Sequence, residues 1–93
     1  MLEKDVETKL VQTVRMMCGQ AWKFVSPGMA GVPDRIVLMP GGKMAFIEVK
    51  KPGEKMRLLQ LRRKRQIENL GFKVYCLDDP EKVEEVLDEI QGA

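Results

Sequence analysis

Ile36 to Met39 and Lys43 to Val49 are β-prone runs separated only by Pro40-Gly41-Gly42. A three-residue hairpin loop needs glycine at its left-handed position, a role that Gly42 fills. A loop centred on Gly41 sets Asp34 opposite Glu48, Ile36 opposite Phe46 and Leu38 opposite Met44, with opposed side chains about 5 Å apart. Strand side chains alternate between faces, so in Glu48-Val49-Lys50 the acid and the lysine point one way and Val49 the other. Asp34, Glu48 and Lys50 then share one face at one end of the hairpin. A two-residue loop would break this alignment.

Two carboxylates converging on one point repel each other unless positive charge lies between them. A hard divalent ion, magnesium or manganese, suits that place: it takes a few carboxylate oxygens, often a backbone carbonyl, and keeps several waters for itself and for substrate phosphate. A lysine beside it positions a water and stabilises charge growing on a phosphoryl group. The competing reading is a salt bridge across an exposed strand, which contributes little. Against it, Ala45, Ile47 and Val49 line one face of the strand and Met44 and Phe46 the other. A strand apolar on both faces is a central one, so charges at its end are partly desolvated and need a partner.

Pro33-Asp34 followed by Glu48-Val49-Lys50 resembles the PD-(D/E)XK nuclease superfamily. The longer pattern, Glu7 on the first helix, Gly31-Val32-Pro33-Asp34, Glu48-Val49-Lys50 and Gln60 on the next helix, resembles its VRR-NUC branch, as found in small stand-alone phage and prophage nucleases. The resemblance covers roughly residues 3 to 78, and its specificity lies in the spacing, the Gly-x-Pro-Asp context, and the flanking glutamate and glutamine. It implies a restriction-endonuclease-like α/β fold and Mg2+ or Mn2+ held by Asp34, Glu48 and the Val49 carbonyl. Lys50 would position the attacking water, with Glu7 and Gln60 assisting. It further implies DNA as substrate, branched, flap or nicked, in phage replication, recombination or repair, with a helicase or other replication protein as a possible recruiter.

The remaining elements follow from periodicity and punctuation. Leu2, Val6, Leu10, Val14 and Met17 form the apolar stripe of a helix over residues 2 to 18, with Glu7 on the flank shared by Val11 and Cys18. Taken alone, Glu7 reads as a solvated helix residue, and it is the family resemblance that assigns it a place near the metal. Gly19 ends that helix, Ala21 to Ser26 make a short strand, and Pro27 to Pro33 form a loop whose small residues admit a phosphate backbone. Pro33 biases Val32 to an extended conformation. Lys51-Pro52-Gly53 breaks the Glu48 strand, and a helix follows to Leu70 with Gly71 as its stop. On it Leu59, Gln66, Ile67 and Leu70 line one side. Phe72 to Leu77 is a fourth strand, parallel to the Glu48 strand because one helix joins them in a right-handed crossover. Asp79 caps a last helix that has Pro80 at its first position and Val83, Val86, Leu87 and Ile90 as its apolar stripe. The order is αβββαβα: a mixed four-stranded sheet flanked by helices, read as one domain over residues 1–93.

Composition excludes several chemistries. The chain of 93 residues has no histidine, which removes His-based triads, His-Glu-x-x-His zinc sites and His-Asn-His nucleases. Cys18 and Cys76 lack metal-ligand spacing and read as reduced, buried thiols. With no bilayer-spanning run and no secretory pattern, the chain is expected to be intracellular, without a membrane partner; the resemblance to the VRR-NUC branch implies a phage- or prophage-encoded protein in the cytoplasm of a bacterial host. The net charge of +2 hides an asymmetry: residues 51 to 73 hold eight Lys or Arg against two acids, while residues 78 to 93 hold seven acids against Lys82. The basic block, Lys51, Lys55, Arg57, Arg62, Arg63, Lys64 and Arg65, suits a nucleic-acid backbone, although it also reads as a solvated helix face. Leu58 and Leu61 fall off the core stripe and suggest a subunit contact, hence a homodimer presenting two centres. Two readings compete with a nuclease: a non-catalytic nucleic-acid-binding module on the same fold, and a structural subunit of a larger assembly.

Overall fold

A computed structural model describes residues 2–92. Three antiparallel strands and one parallel strand form a sheet in sequence order, β1 (Gln20–Lys23), β2 (Arg35–Met39), β3 (Lys43–Val49) and β4 (Val74–Leu77). The helices are α1 (Glu3–Met16), α2 (Leu58–Asn69) and α3 (Val83–Gly92), the last preceded by a single 3-10 turn at Pro80–Lys82. The β2–β3 register is the expected one, with Ile36 opposite Phe46 and Leu38 opposite Met44. Gly41 and Gly42 both adopt left-handed backbone, at φ of 84° and 76°, where side-chain-bearing residues are strained. β4 lies parallel to β3, with Glu48 beside Cys76, as the helical crossover requires.

The odd-numbered positions of β2 and β3 face α1 and α3. Val37, Ala45, Ile47 and Val49 are almost entirely buried there against Val6, Leu10 and Val14 of α1 and Val83, Leu87 and Ile90 of α3. Each large aliphatic side chain so buried contributes roughly 1.5–3 kcal/mol of transfer free energy. The even-numbered face is covered by α2, none of whose residues is fully buried. Its packing runs through Phe46, whose ring lies 5.6 Å from that of Phe24 and 6.3 Å, edge-on, from that of Phe72.

Several boundaries move from their sequence expectation. Leu2 is exposed rather than part of the core stripe: it precedes α1, and its amide donates to the Asp5 carboxylate at 2.7 Å, so it occupies the cap. β1 ends at Lys23, and β4 begins at Val74. The second helix starts at Leu58, well after Gly53, because the Gln60 side chain accepts from the Arg57 amide at 2.9 Å and fixes the first turn there. Leu70, expected to line the packed side, is exposed, for the helix has already closed onto Gly71, whose amide donates to Glu68. The cysteines are free, as expected, but exposed rather than buried. Cys18 occupies the left-handed turn after α1 at φ of 66°, and Cys76 points from the edge strand to the face that α2 covers incompletely.

Candidate active site

The hairpin delivers Asp34 and Glu48 side by side. Asp34 immediately precedes β2, and its Oδ1 accepts from the Val49 amide at 3.1 Å, extending the β2–β3 ladder by a side chain. Glu48, the penultimate residue of β3, is buried at 5% exposure, and Lys50, just past the strand, is equally buried. The Lys50 Nζ lies 3.5 Å from Glu48 Oε2 and 3.8 Å from Glu54 Oε1.

Gln60 closes the site from the opposite side. Its Oε1 is engaged by the Arg57 amide, so its Nε2 faces the sheet and donates to Glu48 Oε2 at 3.0 Å. The orientation of the amide follows from this network. One side chain thus caps α2 and fixes the rotamer of Glu48. The loop before β2 forms the wall: Arg63 Nε donates to the Ala30 carbonyl at 2.8 Å, and Gly31, at φ of 83°, sits so close to α2 that a Cβ there would lie 2.7 Å from Leu59 Cγ. The result is an open cavity of about 350 Å³ lined by Gly31, Val32, Asp34, Glu48, Arg57 and Gln60.

Glu48 Oε2 takes both donors, and Oε1 is buried with no hydrogen-bond partner. An unsatisfied buried acceptor costs about 1–3 kcal/mol, and more when charged. The electrostatics agree. Burial pushes Asp34 up to about 6, despite the Val49 hydrogen bond that opposes it, and the charges of Glu48, Glu3 and Glu7 add to the rise. Glu48 is also raised by burial, against the opposing pull of Lys50. Both acids would ionise more readily with a cation between them. The available donors are these two carboxylates and a backbone carbonyl; no cluster of three or more Asp, Glu, Cys or His side chains suited to a metal occurs among the described residues. That is a sparse, all-oxygen set, the kind that leaves several positions of a hard divalent ion to water and phosphate.

A phage protein, "Putative nuclease p44" of Acyrthosiphon pisum secondary endosymbiont phage 1, is 50% identical to the chain over 76 residues, covering 82% of each. The chain belongs to this nuclease family. A solved structure described as "VRR_NUC domain" superposes with a TM-score of 0.85, covering 92% of this chain and 94% of the other at 24% identity. The sheet with its flanking helices is therefore the VRR-NUC fold. No protein-family model matches the chain.

The fold brings Asp34, Glu48, Lys50 and Gln60 together and treats Glu7 differently. Glu7 Oε2 pairs with Arg35, at 3.2 Å from Nη2 and 3.4 Å from Nε, while Arg35 Nη1 donates to the Ala21 carbonyl at 3.0 Å. Glu7 faces that guanidinium and acts on Asp34 through its charge. Glu3, one turn earlier on α1, was not singled out from sequence, yet its charge raises both Asp34 and Glu48. The signal available was the four-residue spacing that puts Glu3 and Glu7 on one flank of the helix.

The basic residues of this VRR-NUC fold also divide. Arg63 is tied to Ala30 and to Gln66 Oε1 at 3.0 Å, and Lys64 pairs with Glu68 at 3.2 Å. Lys51, Lys55, Arg57, Arg62 and Arg65 are exposed, with Arg57 at the rim of the cavity. Leu58 is 86% exposed and Leu61 is exposed beside it. No helix among the described residues is long and apolar enough to cross a membrane.

Proposed function

We propose that this nuclease hydrolyses DNA phosphodiester bonds with Mg2+ or Mn2+ at Asp34 and Glu48. The observation that carries the reading is Glu48 Oε1, a buried acceptor with no donor beside a second carboxylate that is itself raised. Asp34, Glu48 and the Val49 carbonyl would hold the ion, which supplies Lewis acidity toward a phosphoryl oxygen and lowers the pKa of bound water. Lys50, buried and anchored by Glu48 and Glu54, orients the attacking water and stabilises negative charge developing on the phosphoryl oxygen. Gln60 holds Glu48 in place. Glu7 and Glu3 add negative charge that favours a bound cation. Arg57, at the cavity, and the exposed Lys51, Lys55, Arg62 and Arg65 are the cations left to meet a DNA backbone, which they would contact without reading bases.

A site with one centre cuts one strand. Leu58 and Leu61 offer an apolar contact through which two copies would present two centres to a branched, flap or nicked substrate. This fits a role in phage replication, recombination or repair in the host cytoplasm, where a helicase could recruit the enzyme. The test is cleavage of labelled single-stranded, duplex, flap and four-way-junction DNA with magnesium, manganese or chelator, set beside calorimetric metal titration. Asp34→Asn and Lys50→Ala should each lower cleavage by about 100- to 1000-fold, and Asp34→Asn should also weaken metal binding. Metal-independent DNA binding with no cutting on any substrate would instead identify a binding module.

A further inference from the structure

A second polar groove lies on the other side of β2 from the carboxylates. It has a volume of about 270 Å³ and is lined by Glu7, Thr8, Val11, Gln12, Arg15 and Arg35. Arg35 forms its floor, 9% exposed, held by Glu7 and the Ala21 carbonyl. With Glu7 engaged by Arg35, the groups left to face a ligand are the Thr8 hydroxyl, the Gln12 amide and the Arg15 guanidinium. Lys4, Thr8 and Arg15 fall on one stripe of α1 at 3.6 residues per turn, spanning about 16 Å of helix with a cation at each end. Neither Lys4 nor Arg15 has an ion-pair partner among the described residues.

We infer that this stripe is a phosphate-backbone site for the DNA strand beyond the scissile bond. The inference rests on the nuclease reading above and deepens it. Arg35 follows Asp34 directly in the chain but points to the opposite face of the sheet, so the groove begins one residue from the candidate centre, and a strand bound at Asp34 and Glu48 would reach it by passing around the end of β2 at which Asp34 stands. The exposed groups are hydroxyl, amide and guanidinium, the donors that proteins aim at phosphate and sugar oxygens. On the α2 side two of the cations are already engaged within the protein, Arg63 by the Ala30 carbonyl and Lys64 by Glu68 one turn along the helix, so the α1 stripe supplies charge that α2 alone does not.

The test measures binding of the cleavage-silent Asp34→Asn chain to a short labelled DNA duplex as salt is raised. Adding Lys4→Ala and Arg15→Ala should make the slope of log affinity against log salt shallower by about 1.8, the value for two lost phosphate contacts. Thr8→Ala with Gln12→Ala should weaken binding by about fivefold or more without altering the slope, because neutral donors release no counterions. Lys82→Ala, on the acidic side of the molecule, should change neither. A slope unchanged by the Lys4 and Arg15 substitutions, in a chain that binds DNA, would overturn this assignment alone. Failure of the Asp34→Asn chain to bind DNA at low salt would overturn it together with the nuclease reading.

Discussion

The two faces of the sheet are built to opposite specifications. Toward α1 and α3, Leu10, Val14, Val37, Ile47, Leu87 and their neighbours are sealed from water. Toward α2, the strands carry Glu48 and Lys50 at one end, Phe46 is only partly buried, and the helix over them has no buried residue. The closed face supplies stability. The open face can then hold a buried carboxylate oxygen without a donor, a feature unfavourable for folding that a bound cation would offset.

The comparison is sharpest where a single side chain is removed from each face. Leu10→Ala should cost about 2–5 kcal/mol in urea unfolding, whereas Leu58→Ala, at an exposed position of α2, should stay within about 0.5 kcal/mol. Similar losses at both positions would mean that Leu58 is buried in a contact between two copies at the concentration used.

A second contrast concerns the sign of a charge. Asp34 has a folded pKa of about 6 against an ordinary 3.8. Its contribution to stability is therefore fully present below about pH 4 and lost as pH rises through about 6. The metal-free native chain should weaken across that interval more than Asp34→Asn, which keeps only the raised Glu48, leaving the variant about 1–2 kcal/mol more stable at pH 7 once solvent screening is allowed for. Denaturant titrations at several pH values would show it. Parallel profiles for the two chains would remove the claim that Asp34 is held against its preference.

The smallest effect separates positioning from binding on the open face. Arg63→Ala should lower stability by about 1 kcal/mol by releasing the Ala30 carbonyl, hasten proteolysis in the loop around Gly28, and leave the salt dependence of DNA binding unchanged. A slope shallower by about 0.9 would return Arg63 to the phosphate contacts.

The sequence showed the hairpin best, because a glycine turn and strict alternation are local rules that tertiary structure rarely overrides. Asp34, Glu48 and Lys50 were placed on one face by that register alone. Gln60 came from family resemblance, since nothing local says that a glutamine in a first turn will both cap its helix and bond to a strand acid. What stayed hidden depended on partners distant in sequence. Glu7 with Arg35, and Arg63 with Ala30, are pairs separated by 28 and 33 positions. An arginine that will meet a backbone carbonyl carries the same local signature as one that will meet a phosphate. Leu2 and Leu70 obeyed helical periodicity but fell beyond the helix ends, where periodicity no longer places a side chain.

The β2–β3 hairpin has a bearing on descent as well as on geometry. Asp34, Glu48, Lys50 and Gln60, with the loop that walls them, all fall between residues 28 and 60, a contiguous third of the chain. Closing so short a loop costs little entropy, so the two acids meet through neighbouring sequence rather than through the assembly of remote segments. Such a unit can be inherited as a block. β4 and α3 supply none of these groups, and α3 serves the site by keeping the far side of the sheet dry.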